Sequence, residues 1–210
     1  MAANTDTTTR TRVATRRSTE ADLPVLTATI ADAFFGDPTM LWIVPDEARR
    51  RAVGPAMFRP LVAGIQRLGE TWLTEDGAGA ALWIPPGHVV PAPEDDEAFE
   101  QALADALAPA ELERLGALVA VMDANLPTEP HAHLNLFGTL PSRQGQGIGS
   151  ALLEAVLPRF DEEGVAAYLE ATTDRNRRLY ERHGFVYWND ITPAGGPPLR
   201  RMWREPGAGR

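Results

Sequence analysis

The sequence predicts a single globular domain of the α/β class, on three observations. The chain has 210 residues, 44% of them hydrophobic and 23% charged, which suits one domain with its own core. Strand and helix patterns alternate from about residue 131 onward. The preceding part combines a predicted β-hairpin with several helices. Residues 1–10 are rich in Thr and Arg and are predicted to form a disordered tail, so we expect the domain to span residues 11–206.

Composition argues against several kinds of function. The chain has no Cys, which excludes thiolate zinc sites, a cysteine nucleophile and iron–sulfur clusters, and we predict no metal site. The net charge of -9 disfavours nucleic-acid binding and suits a cationic small substrate. No apolar run reaches the ~18 residues of a membrane span, and the N-terminus lacks the apolar core of a secretory signal. We therefore expect no membrane association and a cytoplasmic location.

The first 123 residues are predicted to form helices around one hairpin. Capping residues at 18–22 precede apolar residues at helical spacing, and Pro55 and Pro60 are expected to divide the second helix. A turn at 75–77 joins two short apolar runs into the hairpin. The elements in order are a strand at 13–15, a helix from 23 to about 34, a loop at 42–45, a helix from about 46 to 68, strands at 71–74 and 79–84, and a helical stretch to about 123 broken at Pro109.

The pattern sharpens at His131. Apolar Ala132, Leu134 and Leu136 alternate with polar residues, which predicts a strand with one face on the core and the other lining a cleft. A glycine-rich loop then opens a helix. The elements that follow are a helix ending near Gly164, a strand at 165–170, a helix from about 174 to 183, and strands at 185–188 and 199–203.

Three glycines, at 145, 147 and 149, lie between this strand and the next helix. Such a loop leaves backbone N–H groups free and predicts an anion site. A phosphate-binding loop with Lys is excluded because the motif has no Lys. A dinucleotide fingerprint would need glycine at position 150 or 152, where Ser150 and Leu152 stand, so a nicotinamide oxidoreductase is disfavoured.

The motif that fits is Q-x-x-G-x-G, formed by Gln144, Gly147 and Gly149. About 30 residues later, Tyr180 begins the sequence Tyr-Glu-Arg-His-Gly-Phe. In both motifs the chain resembles the GNAT N-acetyltransferase superfamily, and within it most closely the puromycin N-acetyltransferase-like, antibiotic-inactivating branch. The resemblance covers nearly the whole chain and is specific in its C-terminal half.

The resemblance implies a mixed, mostly antiparallel sheet, splayed at the cofactor site, with helices on both faces. It also implies acetyl-CoA as co-substrate, with Tyr180 as general acid for the leaving thiolate. A further implied contact, Asn176, departs from the position many members use, where this chain has Thr173. The implied cofactor residues are Phe137, Gly138 and Thr139 for pantetheine and Gln144, Gly145, Gln146, Gly147, Ile148, Gly149 and Ser150 for pyrophosphate.

The resemblance implies a primary amine of a small molecule as acceptor, with an antibiotic-like aminonucleoside as one candidate, and a monomer or homodimer. Direct attack needs a neutral amine, so a base is required. The candidates are His131, His133, Glu170 and Asp37; an imidazole exchanges protons near neutral pH, whereas Glu170 also suits an ion pair or a helix cap. A non-catalytic acyl-CoA-binding module and an enzyme for protein N-termini or lysine remain alternatives.

Overall fold

A computed structural model describes residues 13–208, which form a seven-stranded sheet with helices on both faces. The predicted tail, residues 1–10, lies outside the described residues. The strands are β1 (Thr15–Arg17), β2 (Thr71–Thr74), β3 (Gly79–Ile84), β4 (His131–Thr139), β5 (Ala166–Ala171), β6 (Val186–Ile191) and β7 (Leu199–Arg204). The helices are α1 (Leu23–Phe34), α2 (Pro38–Ile43), α3 (Glu47–Arg67), α4 (Asp96–Ala106), α5 (Pro109–Asp123), α6 (Ile148–Glu154), α7 (Leu157–Glu163) and α8 (Asp174–Arg182).

The sheet has the strand order β1-β2-β3-β4-β5-β7-β6 and is mostly antiparallel. Its one parallel pair among the described strands is β4 with β5, which confirms the mixed sheet predicted above. These two strands pair only over residues 131–133 and 166–168. Beyond that point β4 continues to Thr139 with only β3 beside it, so the sheet is splayed.

Two hydrophobic cores lie on opposite faces of the sheet, and β3 supplies both. Its Leu82 packs with α1 and α3, whereas its neighbour Trp83 packs with α6 and α7. Both side chains are 0% exposed, and burying each such side chain contributes about 1.5–3 kcal/mol. The second core includes Phe160, whose ring meets Trp83 edge-on at 5.2 Å. Within the described residues, no helix is long and apolar enough to cross a membrane.

The helical regions differ from the prediction at three places. Helix α3 runs unbroken through Pro55 and Pro60, so its predicted division is wrong. Each proline removes only its own N–H bond, while the buried face of α3 holds the helix on α1. Residues 38–43 form α2, where the end of a helix and a loop were expected; Asp37 caps it and Pro38 suits its first turn. The helix after the glycine-rich loop is two helices, separated at Ala155 and Val156.

Strand β4 breaks the simple alternation predicted from its sequence. Leu82 pairs with Leu136 and Trp83 pairs with Leu134, so Asn135 is an extra residue, a β-bulge. The bulge sends Leu136 to the α1 side, while Ala132 and Leu134 pack on the α6 side. The prediction that all three apolar residues share one face is therefore wrong. Strand β1 lies two residues later than predicted, because residues 15–17 pair with β2.

Asp22 joins the first strand to the first helix. Its two carboxylate oxygens each accept a hydrogen bond from Arg16 at 2.7 Å, and Oδ2 also accepts one from the Thr19 backbone at 2.7 Å. The Arg16 guanidinium and then the Thr19 bonds hold the pKa of Asp22 well below its usual range. We infer that this carboxylate stabilises the fold in its charged form.

We expect Asp22→Asn to lower the free energy of unfolding by about 1–2 kcal/mol at pH 7. The folded-state pKa is depressed, so this stabilisation is complete above the unfolded-state pKa of about 3.9 and is lost as the pH falls below it. The difference from wild type should therefore shrink from pH 7 to pH 3, as measured by urea unfolding. Asp32→Asn, on the exposed face of α1, is the control. An equal difference at both pH values would contradict this account.

Candidate active site

A large cleft opens where β4 and β5 part. Its volume is about 1990 Å³, larger than the ~300–1000 Å³ of ordinary small-molecule pockets. One part is lined by the glycine-rich loop and α8, and another by α3, α4, α5 and the segment 85–91. A cleft of this size and composition can hold two reactants.

The glycine-rich loop adopts backbone conformations that require glycine. Gly145 and Gly147 have φ angles of 79° and 85°, in the left-handed region. A Cβ at Gly149 would lie 2.9 Å from Leu179 and 3.3 Å from Phe137, so this glycine lets the loop sit tightly on the core. The residues predicted to hold pyrophosphate all line the cleft: Gln144, Gly145, Gln146, Gly147, Ile148, Gly149 and Ser150.

Side chains outside the loop hold it in place. Arg175 donates to Gln144 Oε1 at 2.7 Å, which ties the loop to α8. The Ser150 hydroxyl is hydrogen-bonded to His183 Nε2 at 3.1 Å, a second link to the C-terminal end of that helix. Burial lowers the pKa of His183, so its ring is neutral at pH 7. The loop is therefore positioned by the helix that carries Tyr180.

The three residues predicted to contact pantetheine lie on the unpaired stretch of β4. Phe137, Gly138 and Thr139 pair with β3 and border the cleft, with no β5 residue opposite them. A Cβ at Gly138 would lie 2.5 Å from the Ala33 Cβ, so glycine allows α1 to pack directly on the strand. The backbone edge of β4 can thus receive hydrogen bonds from a ligand.

Tyr180 lies on α8 at the wall of the cleft. Its ring packs against Phe137 at 5.7 Å and Phe185 at 5.8 Å, and the residue is 4% exposed. Burial, and secondarily the Asp37 carboxylate, raises the pKa of the phenol, so the hydroxyl stays protonated at neutral pH. Asn176, one turn earlier on the same helix, also lines the cleft. The helix therefore presents a proton donor to the cleft.

Two of the predicted base candidates form one unit. His133 Nε2 and Glu170 Oε2 are 2.8 Å apart, and their side chains are 9% and 4% exposed. Glu170 Oε1 is buried and has no close hydrogen-bond partner among residues 13–208, although the Tyr168 hydroxyl also interacts with this carboxylate. Both residues line the cleft. Because a buried, unpaired carboxylate oxygen is costly, this atom is suited to a ligand that donates a hydrogen bond.

The other two base candidates have different surroundings. His131 is hydrogen-bonded to the Glu129 carbonyl at 2.6 Å, and burial lowers the pKa of its ring. Asp37 caps α2, accepting from the Thr39 N–H at 2.9 Å, and also accepts from the Thr172 hydroxyl. Asp37 therefore connects the turn before α2 to the end of β5. Both residues line the cleft, but the carboxylate of Asp37 is occupied by its partners.

The sequence interpretation missed the arginines of the cleft. Arg175, Arg178 and Arg182 line it from α8, and Arg143 lines it from the loop. The signal was available, because positions 175, 178 and 182 recur at helical spacing around Tyr180. Their charge suits the phosphates of a nucleotide. Within residues 13–208 there is no group of three or more His, Asp or Glu that could hold a metal ion.

The cleft is bordered by the splayed sheet, the glycine-rich loop and the buried tyrosine. Residues 70–185 match the acetyltransferase (GNAT) family, and the chain belongs to that family. The family match makes the protein a transferase of the acyltransferase type. It is an N-acetyltransferase of GNAT type, a family that generally uses acetyl-CoA.

Individual relatives agree with this assignment. An uncharacterized N-acetyltransferase of Schizosaccharomyces pombe is 28% identical over 92% of this chain and 84% of its own length. A Corynebacterium glutamicum structure, described as histone acetyltransferase HPA2 and related acetyltransferase, is 28% identical with a TM-score of 0.69, covering 93% of this chain and 97% of its own. The Drosophila melanogaster polyamine N-acetyltransferase, which forms N-acetylagmatine, shares the fold at 17% identity and a TM-score of 0.59, covering 91% and 97%.

We expect Gly147→Ala to raise the dissociation constant for CoA at least ~10-fold, because a non-glycine residue at a φ of 85° costs ~1–2 kcal/mol and shifts the loop backbone. Isothermal calorimetry would measure this. The control is Gly164→Ala, which carries similar strain at a φ of 68° but lies at the end of α7, outside the cleft. Equal CoA affinity in the two variants would show that the loop does not bind the cofactor.

Proposed function

We propose that this protein transfers the acetyl group of acetyl-CoA to a primary amine of a small molecule. The observation that carries the proposal is the meeting of three groups in one cleft: the glycine-rich loop, the Tyr180 hydroxyl and the buried His133–Glu170 pair. They match the three needs of the reaction, which are a nucleotide site, an acid for the leaving thiolate and a base for the amine.

The charges of the cleft support two reactants of opposite sign. All four arginines that line it come from residues 143–182, around the glycine-rich loop. The lining residues before position 140 include carboxylates but no arginine: Asp37, Asp96, Glu100, Asp123 and Glu129. The positive part suits CoA phosphates, and the negative part suits a cationic amine.

In the proposed mechanism Glu170 Oε1 accepts a hydrogen bond from the substrate ammonium and then takes its proton. His133 Nε2–H donates to Oε2, which fixes the carboxylate and stabilises its negative charge before the transfer. The neutral amine attacks the thioester carbonyl, the new C–N bond forms and the C–S bond breaks. Tyr180 gives its proton to the departing thiolate, and the proton that the attacking nitrogen must lose to become an amide passes through solvent and restores the Tyr180 hydroxyl.

Two finer interpretations stay predictions. The resemblance to the puromycin N-acetyltransferase-like branch suggests an antibiotic-like acceptor, and the acidity of the sequence suggests a soluble small cation. A non-catalytic acyl-CoA-binding module would bind CoA without turnover. An amine panel read by thiol release separates these possibilities, and the Cys-free chain adds no background.

We expect Tyr180→Phe to lower kcat by about 10²-fold or more, because the leaving thiolate loses its proton donor. The KM for acetyl-CoA should stay within about twofold of wild type, since the ring and its contacts with Phe137 and Phe185 are kept. Steady-state kinetics with a saturating amine would measure both constants. Tyr187→Phe is the control, because Tyr187 is a half-buried tyrosine of β6 outside the cleft whose hydroxyl donates to Asp190. Unchanged turnover in Tyr180→Phe would remove the residue from the mechanism.

We expect Glu170→Gln to lower kcat/KM for the amine by about 10²-fold or more, and His133→Ala by a smaller factor, without loss of CoA affinity. Because the two side chains act as one unit, the double variant should be no slower than Glu170→Gln alone. Initial rates from pH 6 to 9 would test this. Multiplied losses in the double variant would mean that the two residues act independently.

A further inference from the structure

Three of the most exposed large apolar side chains in the described part of the chain line this one cleft. Val89, Val119 and Leu126 are exposed to 60%, 46% and 40%. Single exposed apolar residues are ordinary on protein surfaces, whereas a group around one opening marks a binding surface. The walls of the cleft therefore carry exposed apolar side chains that core packing does not explain.

One wall is the C-terminal part of α5. Leu115 and Leu118 on this helix pack against the core shared by α1 and α3. Val119 and Met122 follow at helical spacing and border the cleft, and Leu126 continues the same wall after the helix ends. The apolar face of α5 thus extends beyond the side chains that pack on the core. Its remaining apolar side chains line the cleft.

The other wall is the segment 85–91 after β3. Val90 is partly buried against the core, and a Cβ at Gly64 of α3 would lie 2.7 Å from its Cγ1. This close fit holds the segment on α3. The adjacent Val89 stays exposed on the cleft side. The segment is therefore anchored on one side and apolar on the other.

The polar groups in this part of the cleft favour a positively charged ligand. Glu170 Oε1 is a buried acceptor with no close hydrogen-bond partner among residues 13–208, and Asp123 and Glu129 are exposed lining residues. Carboxylates attract a cation toward the opening, and the buried oxygen can accept from its N–H groups. The other carboxylates around these walls, Asp96, Glu100, Asp123 and Glu129, are exposed, so a second charged end would meet solvent-screened charges there and no buried anion among residues 13–208.

We propose that the acceptor is a primary amine carried on an apolar body, with its ammonium group on Glu170 Oε1 and its body between α5 and the segment 85–91. This inference rests on the proposed function, since it assigns the substrate class of the same site. It excludes short amines and amines charged at both ends as preferred acceptors.

The test uses matched amines: ethylamine with 2-phenylethylamine, and hexylamine with 1,6-diaminohexane. We expect kcat/KM to be at least ~30-fold higher for 2-phenylethylamine than for ethylamine, because the phenyl ring is buried between the apolar walls. It should be at least ~30-fold higher for hexylamine than for 1,6-diaminohexane, because the second ammonium would be desolvated there without a buried partner. The double variant Val119→Asn/Leu126→Asn should lose at least ~10-fold with 2-phenylethylamine and less than ~2-fold with ethylamine. Val186→Asn is the control, because Val186 is 64% exposed on β6 and outside the cleft.

Equal rates for ethylamine and 2-phenylethylamine, or a preference for 1,6-diaminohexane, would overturn the inference. A change in sedimentation in the double variant with an unchanged amine ratio would also overturn it, since a second copy would then cover these walls. If no amine is acetylated, the proposed function fails separately. Calorimetric titration of the CoA complex with the same amines would still decide the inference: tighter binding of 2-phenylethylamine supports it, and equal or no binding rejects it.

Discussion

Strands β4 and β5 run side by side for three residues and then part, and the candidate active site depends on this separation. Each strand keeps its other neighbour, β3 or β7, so the sheet survives the gap. The freed edge of β4 carries backbone donors and acceptors that need partners. Buried groups of this kind are costly when unpaired, so the gap is suited to a ligand with an amide-rich chain.

The β-bulge at Asn135 sets what each side of the gap contains. By adding one residue to β4 it moves Leu136 to the core of α1 and leaves Phe137 facing Tyr180. Before the bulge, His133 faces Glu170 across the short paired stretch. Strand β4 therefore places His133 in one part of the cleft and its unpaired backbone edge in another. A strand whose side chains alternated without a bulge could not do both.

The C-terminal half was largely predictable from sequence because its signals are local. Glycines at 145 and 147 are required by left-handed φ angles, and Tyr180 lies within a short helical pattern, which the structure shows as α8. The bulge was not predictable, because an extra residue changes the face of Leu136 without any sign in the hydrophobic pattern. Helix α3 was misjudged because packing outweighs the local penalty of Pro55 and Pro60.

The partnership of His133 with Glu170 also lay beyond local reasoning, because 37 residues separate them and only the parallel pairing brings them to 2.8 Å. The same pairing explains why a buried carboxylate can stand at this site. His133 is hydrogen-bonded to one oxygen, and the other is buried in a residue that lines the cleft, so a cationic substrate could supply the hydrogen bond that this oxygen lacks. Binding energy at that oxygen is then available only to a ligand that carries a hydrogen-bond donor, and most of all to a cationic one. An apolar molecule without a donor would fit the walls but leave the Glu170 oxygen without a hydrogen bond. The cost of that unpaired oxygen is what makes the site prefer an amine.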